Sequence, residues 1–324
     1  MNVLVSSASR KVGLVRAFKR AVAAVGDGRV AAVDVSPLAA ALYEADVAHL
    51  VPRSDDPAFI DAILDLCSSE GVALVVPTRD EELPVFAAAR DRFAGHGILV
   101  LVPEPATVAT CQDKLAFASA CAAEGLSTPR VVTDPTDADL PLFIRPRIAK
   151  GGRGARAVRS GRDLAVALDE LGASAFVQEL IEAPEFTIDL FVDPRDRTPI
   201  SCIPRERVLV VDGESKIGRT VRDDRLRDAT LRLASALGLT GHVTVQAFRR
   251  GDEVLFIEVN PRYGGGASLG FAAGAPTPEF ALRIAHGERV EPRLDAYETG
   301  LVMLRFTDDR FTRDSELVGA SGRR

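Results

Sequence analysis

The chain has 324 residues, of which 47% are hydrophobic and 27% are charged, so it can bury a sizeable core in two or three packed units. Its formal net charge of −6 argues against a general nucleic-acid or membrane surface, because such partners usually require a basic face. The four cysteines are scattered without a C-x-x-C pair and indicate neither a zinc site nor a disulfide framework. No apolar run is long enough to span a bilayer. We therefore expect a soluble, cytoplasmic protein.

Strands and helices are predicted to alternate over the first third of the chain. The order is a strand at 2–6, a helix, a strand ending in Asp34, a second helical stretch before residue 49, a helix from Phe59 to Cys67, a strand from Val72, a helix over 83–93 and a strand at 98–103. This alternation favours a parallel sheet wound with helices. A dinucleotide-binding dehydrogenase fits poorly, because the first strand is followed by SSASRKVG and not by the glycine fingerprint of that fold.

Two groups of polar residues follow strands of this sheet. One comes after the first strand and consists of Ser6, Ser7, Ser9, Arg10 and Lys11. It could hold an anion at the N-terminus of the next helix or simply cap that helix in solvent. The other consists of Asp34, Thr78, Asp80 and Glu81. Ligands of open α/β sheets bind outside the carboxyl edge of the strands, so a small polar substrate could bind here, the alternative being ordinary loop caps.

The middle of the chain contains a basic glycine-rich loop. Residues 107–125 are predicted to form a helix that opens around Asp113 and Lys114, and a connector rich in Pro and Asp follows. The sequence PLFIRPRIAKGGRGARAV then predicts a hairpin with its tip at 149–154. Backbone N–H groups of such a loop can bind phosphate oxygens, and basic side chains add charge. A glycine loop alone is weak evidence, because exposed hairpins often carry one.

The most informative stretch is EVLFIEVNPRYGGG, from Glu253 to Gly266. Glu258 and Asn260 interrupt an apolar strand and, being two residues apart, point to the same face. Oxygen ligands of this kind suit Mg²⁺, and Arg262 adds a planar donor for phosphate or carboxylate. Gln246 lies on the preceding strand of the same predicted hairpin and could face the same metal. The glycines remove side chains where the backbone must approach a ligand.

Several of these residues occur in a characteristic order along the chain: Lys114, Arg145, the loop IRPRIAKGGRGA, Glu179, Glu185, Gln246, Glu258, Asn260 and Arg262. With these residues in this order, the chain resembles the ATP-grasp superfamily. The branch most similar is that of the carbamoyl-phosphate synthase large subunit and the pyrrolysine-biosynthesis ligases. The resemblance implies a Rossmann-like pre-ATP-grasp domain (1–106), an ATP-grasp subdomain with the glycine-rich lid (107–174) and a second subdomain with the metal site (175–311), so that the fold is α/β and α+β. Residues 312–324 are expected to be a flexible tail.

The resemblance also implies a role for each site residue. Lys114 and Arg145 would contact ATP phosphates, as would Lys150, Gly151, Gly152 and Gly154 of the loop. The adenine would be lined by Gln178, Glu179, Leu180 and Ile181, and the ribose would be held by Glu185. One or two Mg²⁺ or Mn²⁺ ions would be held by Gln246, Glu258 and Asn260. The transferring phosphoryl group would be stabilised by Arg262, Arg205 and Lys216.

The implied activity is that of an ATP-dependent carboxylate–amine ligase that passes through an acyl phosphate. Its partners would be small carboxylate and amine substrates, amino acids first among them, with a homodimer as a candidate assembly. Because the chain has no glutaminase segment and no second synthetase half, we expect a stand-alone ligase. Three alternatives remain: a carbamate or carboxyphosphate synthetase, a non-catalytic ATP sensor, and a serine hydrolase built on GASLG around Ser268.

Overall fold

A computed structural model of the chain describes residues 1–135, 140–148 and 154–319. Its strands are β1 (Asn2–Val5), β2 (Val30–Asp34), β3 (Val47–Leu50), β4 (Val72–Val76), β5 (Leu99–Val100), β6 (Leu142–Pro146), β7 (Arg156–Val158), β8 (Ala175–Glu179), β9 (Glu185–Val192), β10 (Pro199–Val211), β11 (Glu214–Thr220), β12 (Gly241–Arg250), β13 (Glu253–Asn260) and β14 (Val302–Leu304). Its α-helices are α1 (Val12–Val25), α2 (Phe59–Glu70), α3 (Leu83–Ala88), α4 (Arg90–Ala94), α5 (Pro105–Gln112), α6 (Lys114–Ala123), α7 (Gly161–Leu171), α8 (Asp224–Leu237), α9 (Ala267–Ala272) and α10 (Thr277–Ala285).

The first sheet is parallel and has the strand order β3-β2-β1-β4-β5. Its central strands are buried on both faces, which explains why β1, β2 and β4 read as continuous apolar runs. One face packs on α2, α3 and α4 through a core that contains Phe59, Phe86 and Phe93. The other face shares a core with α1, α10 and Tyr263, and this core therefore joins the first sheet to the C-terminal half of the chain.

The largest sheet has six antiparallel strands in the order β13-β12-β9-β10-β11-β14. Strands β12 and β13 form a hairpin around Gly251 and Asp252, and β9 pairs along the other side of β12. The core beneath this sheet contains residues of α6 and α8, among them Phe117 and Leu233. The hairpin therefore presents one edge of a rigid sheet, and β13 is the edge strand.

The third sheet has three antiparallel strands in the order β7-β6-β8 and packs on α7. Its core is small and separate from the others, with Leu142, Ile144 and Val177 among its buried residues. The side chain of Arg145, on the central strand β6, is buried and reaches the backbone of β13. This contact sets the small sheet against the edge of the six-stranded one.

The structure differs from the sequence-based prediction in three local features. The helical stretch after Asp34 is a 3-10 helix at Ala40–Glu44, and it is followed by an additional strand, β3. The helix predicted over 83–93 is two helices joined at Ala89. The helix predicted over 107–125 is also two, because the Asp113 side chain accepts hydrogen bonds from the N–H groups of Leu115 and Ala116 and caps α6. Of the predicted tail, residues 312–319 contain a 3-10 turn at Asp314–Glu316, and the N–H of Val318 donates to Tyr43 Oη at 3.3 Å.

Candidate active site

Three oxygen-bearing side chains lie on one face of the β12–β13 hairpin. Gln246 is the cross-strand neighbour of Glu258, and Thr244 is the neighbour of Asn260. Because side chains alternate along a strand, Glu258 and Asn260 share their face, and Asn260 Nδ2 donates to Glu258 Oε1 at 3.2 Å. All three are partly buried. The hairpin therefore brings together the predicted metal-ligating set of one carboxylate and two amides.

Arg262 connects this strand to the first sheet. Its Nε and Nη2 atoms donate to the two carboxylate oxygens of Asp80 at 2.7 and 2.8 Å, and Nη2 also lies 3.3 Å from Asn260 Oδ1. Asp80 follows β4, and its carbonyl accepts from Gln112 Nε2 at 2.5 Å. The carboxyl edge of the parallel sheet is thus held directly against β13, the strand that carries the predicted metal ligands Glu258 and Asn260.

Arg145 is placed behind Glu258. Its Nη2 atom donates to Gln178 Oε1 at 3.0 Å and to the carbonyl of Ile257 at 3.1 Å, while Nη1 lies 3.7 Å from Glu258 Oε2. The guanidinium stands 5.6 Å from the centre of the Phe176 ring. Burial lowers the pKa of Arg145, although Glu258 and Glu185 oppose this. Its buried Nε has no hydrogen-bond partner within the described part of the chain, so a donor remains for an anionic ligand.

Lys114 approaches the same point from the start of α6. Its Nζ donates to the carbonyl of Arg147 at 3.5 Å, and Arg147 is fixed by a bidentate ion pair with Asp113. Burial and the neighbouring Arg145 lower the pKa of Lys114, whereas Glu258 raises it. Lys114, Arg145 and Glu258 are therefore close enough to act on one another. We call Lys114, Arg145, Glu185, Glu258, Asn260 and Arg262 the central cluster.

Glu185 begins β9 and enters the central cluster from the side. Burial raises the pKa of its carboxyl group, with Arg207 acting in the opposite direction at 3.1 Å. Arg207 was missed in the sequence because it is one of several arginines on a predicted hairpin. In the segment predicted to line adenine, Gln178 points inward to Arg145, and the N–H of Glu179 donates to the carbonyl of Arg130 at 2.9 Å. Leu180 and Ile181 are partly buried.

Two predicted catalytic cations are not brought to the central cluster. Arg205 is 1% exposed and donates from Nε and Nη2 to both oxygens of Asp189, at 2.7 and 2.9 Å. Arg205 is therefore buried and paired with Asp189, and its contact with a transferring phosphoryl group stays a prediction. Lys216 lies on β11 and pairs with the exposed Glu214 at 2.9 Å. The sequence alone could not tell which face of β10 Arg205 occupies.

The glycines after Arg262 have a different cause from the one predicted. A Cβ atom at Gly264 would lie 2.6 Å from Thr244 Oγ1, and one at Gly266 would lie 2.6 Å from Arg205 Nη1. Both positions therefore require glycine because side chains of this protein already fill the space. At Gly265, a Cβ atom would lie 3.4 Å from Arg305 Nη1. These residues let the chain leave β13 closely packed on the sheet.

Part of the predicted phosphate-binding loop lies outside the described residues, namely Lys150, Gly151 and Gly152. Gly154 is described and has a φ of +72°, a conformation that favours glycine. No group of three or more His, Cys, Asp or Glu side chains able to hold a metal occurs in residues 1–135, 140–148 and 154–319. The donor set on the hairpin fits Mg²⁺ instead through one carboxylate and two amide oxygens, a hard ligand set that leaves positions for phosphate oxygens.

Comparison with known proteins agrees with this arrangement. Residues 3–101 match the family described as PylC-like, N-terminal domain, and residues 173–307 match the family described as ATP-grasp in the biosynthetic pathway with Ter operon. The carbamoyl phosphate synthase large chain of Thermus thermophilus is 26% identical over 267 residues, which are 73% of this chain and 25% of the relative. That of Deinococcus radiodurans is 28% identical over 290 residues, 78% of this chain and 28% of the relative. The chain thus spans about a quarter of the length of these relatives.

Solved structures share the fold at low sequence identity. Biotin carboxylase from Campylobacter jejuni has a TM-score of 0.74 at 16% identity. The alignment covers 93% of this chain and 74% of the biotin carboxylase chain. N5-carboxyaminoimidazole ribonucleotide synthetase from Thermus thermophilus has a TM-score of 0.69 at 19% identity, covering 90% and 80%. L-amino acid ligase from Bacillus licheniformis has a TM-score of 0.69 at 17% identity, covering 90% and 77%.

The parallel sheet, the two antiparallel sheets and the cluster between them therefore define an ATP-grasp fold. Residues 173–307 thus match an ATP-grasp family, residues 3–101 match a PylC-like N-terminal domain, and the chain is similar to carbamoyl phosphate synthase large chains. The α/β and α+β fold class and the resemblance inferred from the sequence are confirmed. Within the described residues, no helix is long and apolar enough to cross a bilayer.

Proposed function

We propose that this chain is an ADP-forming ligase that activates a small carboxylate with ATP and joins it to an amine. The observation that carries the proposal is the central cluster, in which the hairpin oxygens of Glu258 and Asn260 meet the buried cations Arg145 and Lys114. Such a cluster has charge to neutralise phosphates, and it contains no serine, threonine, cysteine or histidine. Phosphoryl transfer needs mainly positioning and charge neutralisation, so this composition suits it.

Each side chain has a role in this scheme. The unpartnered Nε of Arg145 and the ammonium of Lys114 would bind phosphate oxygens of ATP. Gln246, Glu258 and Asn260 would hold Mg²⁺, or Mn²⁺, which neutralises charge on the transferring phosphoryl group when bound. Glu185 would accept from the ribose hydroxyls, and the segment 178–181 would line the adenine. Arg262, the one predicted catalytic cation that lies in the cluster, would stabilise the phosphoryl group in flight.

The reaction proceeds in two displacements. A carboxylate oxygen attacks the γ-phosphorus, the bond to the β,γ-bridging oxygen breaks, and ADP leaves with that electron pair. The amine nitrogen then attacks the acyl carbon, the C–O bond to phosphate breaks, and the amine releases a proton. The glycine-rich loop that the sequence predicts at 149–154 would act as the lid that excludes water from the acyl phosphate.

Amino acids are the substrates we favour. We assign the three predicted domains to residues 1–106, 107–174 and 175–311. A homodimer remains the assembly we favour. A cytoplasmic location fits the four free, buried cysteines, because they need no oxidising compartment. The similarity to carbamoyl phosphate synthase large chains supports a second candidate, a synthetase that makes carboxyphosphate or carbamate from bicarbonate. The serine hydrolase loses its support, since Gly266–Gly270 opens helix α9 and Ser268 Oγ donates to Met303 Sδ at 3.6 Å.

The test is ADP release from Mg-ATP in the presence of pooled amino acids, small dicarboxylates or bicarbonate, with hydroxylamine added to trap an acyl phosphate as its hydroxamate. A ligase gives ADP and hydroxamate with one pool, which is then divided to identify the carboxylate. Bicarbonate-stimulated ADP release without hydroxamate would favour the carboxyphosphate synthetase.

Glu258→Gln is the matched variant for the metal assignment, because it keeps the size of the side chain and removes the charge. We expect turnover to fall by about 100-fold or more while the melting temperature stays near the wild-type value. Wild-type turnover in Glu258→Gln would refute the metal site. A nucleotide sensor would instead show a rise in melting temperature with Mg-ATP and no pool-dependent ADP release.

A further inference from the structure

We propose that the outer face of strands β10, β11 and β14 is an interaction surface on which a second copy of this chain packs, related to the first by a two-fold axis. Five side chains form this surface, which we call the outer patch: Leu209, Ile217, Val302, Leu304 and Phe306. The proposal gives a location to the homodimer favoured above. It rests on exposure and charge and does not depend on the reaction that the chain catalyses.

The register of the three strands places these side chains on one face of the six-stranded sheet. Ile217 of β11 is the direct neighbour of Leu209 on β10 and of Leu304 on β14. Opposed residues of an antiparallel sheet project from the same face, and so do residues two apart in one strand. Exposure alternates in step with this rule, since Val302, Leu304 and Phe306 are exposed and the residues between them are partly buried. The outer patch is therefore one apolar face.

The opposite face of these strands is covered by the chain itself. A Cβ atom at Gly218 of β11 would lie 3.5 Å from Leu269 Cδ2 of α9, and Met303 Sδ of β14 lies 3.6 Å from Ser268 Oγ of the same helix. An antiparallel sheet with one packed face usually carries polar side chains on the face that meets water. The outer patch reverses this pattern.

The outer patch exposes a large share of its apolar surface. Leu209 is 46% exposed, Val302 is 48%, Leu304 is 69% and Phe306 is 83%. Neighbouring residues of β10 add three more exposed aliphatic side chains, namely Val208, Val210 and Val211. Contiguous apolar surface of this size marks an interaction site, because a partner that covers it removes apolar area from water.

The remaining segments of this chain have no side chains suited to cover the outer patch. The residues outside the described part are 136–139, 149–153 and 320–324, with the sequences TDAD, AKGGR and ASGRR. None of these segments contains a valine, leucine, isoleucine, methionine or aromatic residue. This composition favours a cover supplied by a second molecule.

The charges around the outer patch favour a second copy over a partner of opposite charge. Apart from Arg207, which is buried against Glu185, they belong to three acids and three bases: Glu206, Asp212, Glu214, Lys216, Arg219 and Arg305. Arg219 pairs with Glu206, and both Lys216 and Arg305 pair with Glu214, at 2.9 and 3.3 Å. A two-fold interface sets a surface against its own copy, so a net charge would repel it. This surface is neutral and can meet itself.

A lipid surface fits the outer patch less well. Membranes that face the cytoplasm carry anionic lipids and attract clusters of lysine and arginine. The outer patch has no excess of basic residues around it, and the whole chain has a net charge of −6. We therefore commit to a second copy of this chain as the occupant.

The experiment is analytical ultracentrifugation of the whole chain from about 0.1 to about 100 µM, which covers the dissociation constants of ordinary homodimers. We expect a particle of twice the chain mass of 34.5 kDa. Leu304→Lys places a charge in the apolar interface and should raise the dissociation constant about 100-fold or more. The matched control is Leu38→Lys, because Leu38 is 75% exposed on the loop after β2. This control should keep the dissociation constant within about twofold of the wild type.

A second variant and a folding measurement accompany the first. Phe306→Ser removes the most exposed ring of the outer patch and should raise the dissociation constant about 10-fold. Because every substituted side chain is exposed, the melting temperature of each variant, measured by circular dichroism, should stay near the wild-type value. Raising NaCl from about 0.1 to about 0.5 M should not weaken the wild-type dimer, because its contacts are apolar.

The outcomes are separable. A wild-type chain that is monomeric over the whole range overturns the proposal, whether it then sediments with phosphatidylcholine vesicles or stays in solution. A Leu304→Lys dimer of wild-type strength also overturns it, because the interface then lies elsewhere. Equal dissociation of Leu304→Lys and Leu38→Lys would overturn it as well, since the effect would not be specific to the outer patch. The mass measurement makes no use of ADP release, so the ligase proposal can hold or fail separately.

Discussion

Two arginine–aspartate pairs flank the candidate site, with nearly the same geometry and different surroundings. Arg262 binds Asp80 with donor–acceptor distances of 2.7 and 2.8 Å, and Arg205 binds Asp189 with distances of 2.7 and 2.9 Å. The side chains of the first pair are 19% and 15% exposed, and those of the second are 2% and 3% exposed. We call them the rim pair and the floor pair.

Burial decides what each pair can do. The floor pair lies against Gly266 and Gly270, so it supports the segment that leads from β13 into α9. Neither partner can be lost without stranding a charge in a low-dielectric interior. The rim pair is partly solvated and lies between two domains, so Arg262 can exchange Asp80 for a ligand at a small cost. We therefore propose that two pairs of equal geometry differ in role: the floor pair is structural, and the rim pair is functional.

Removing one member of the floor pair should have the largest effect on stability. Arg205→Met leaves the Asp189 carboxylate buried without its partner, and we expect the free energy of unfolding to fall by about 3–5 kcal/mol. The measurement is urea denaturation followed by circular dichroism. The double variant Arg205→Met/Asp189→Leu removes both charges and should recover most of this loss. A single variant as stable as the wild type would contradict the structural role of the pair.

Removing the rim arginine should have a small effect on stability and a large effect on activity. Arg262→Met should lower the free energy of unfolding by no more than about 1 kcal/mol, because a partly solvated pair contributes little. It should lower kcat/KM by about 100-fold, or about 2.7 kcal/mol, because Arg262 is proposed to stabilise the transferring phosphoryl group. Steady-state ADP release and urea denaturation on the same preparation test both parts. A large loss of stability with normal turnover would show that the two pairs have the same role.

The contrast between the pairs could not have been read from the sequence. That Glu258 and Asn260 share a face follows from the two-residue period of a strand, and that Gln246 opposes them follows from the short turn at Gly251 and Asp252. The face of β10 that carries Arg205 depends on the register with β9, which no local pattern fixes. The partner of Arg262 is 182 residues away and depends on how two domains dock.

Other features had signals that could have been used. Asp113 before an apolar run is a typical helix N-cap, and it marks the break between α5 and α6. The glycines after Arg262 were correctly seen as positions that need space, but the atoms that claim the space belong to Thr244 and Arg205. Only the packed structure identifies such atoms.

The smallest expected effect is a dependence of the free energy of unfolding on pH, through a histidine beside the floor pair. His242 lies beside the floor pair: its Nε2 is 3.8 Å from Asp189 Oδ1, its Nδ1 is 3.1 Å from Thr277 Oγ1, and its ring stacks on Tyr263. Burial lowers its pKa from 6.5 to about 4, with Asp189 opposing and the nearby Arg205 and Arg262 reinforcing the shift. The folded chain therefore holds His242 neutral where the unfolded chain protonates it.

The sign of the effect follows from proton binding. Between about pH 6.5 and pH 4 the unfolded state binds more protons at this histidine, so stability falls as the pH falls through that window, at up to about 1.4 kcal/mol per pH unit. Urea denaturation at pH 7, 6 and 5 should show this slope in the wild type and in His96→Gln, whose exposed histidine serves as the control. His242→Gln should show a flatter dependence. If the free energy of unfolding falls with pH equally in His242→Gln and in the wild type, His242 is not held neutral in the folded chain. The floor pair then has no pH dependence that distinguishes it from the rim pair.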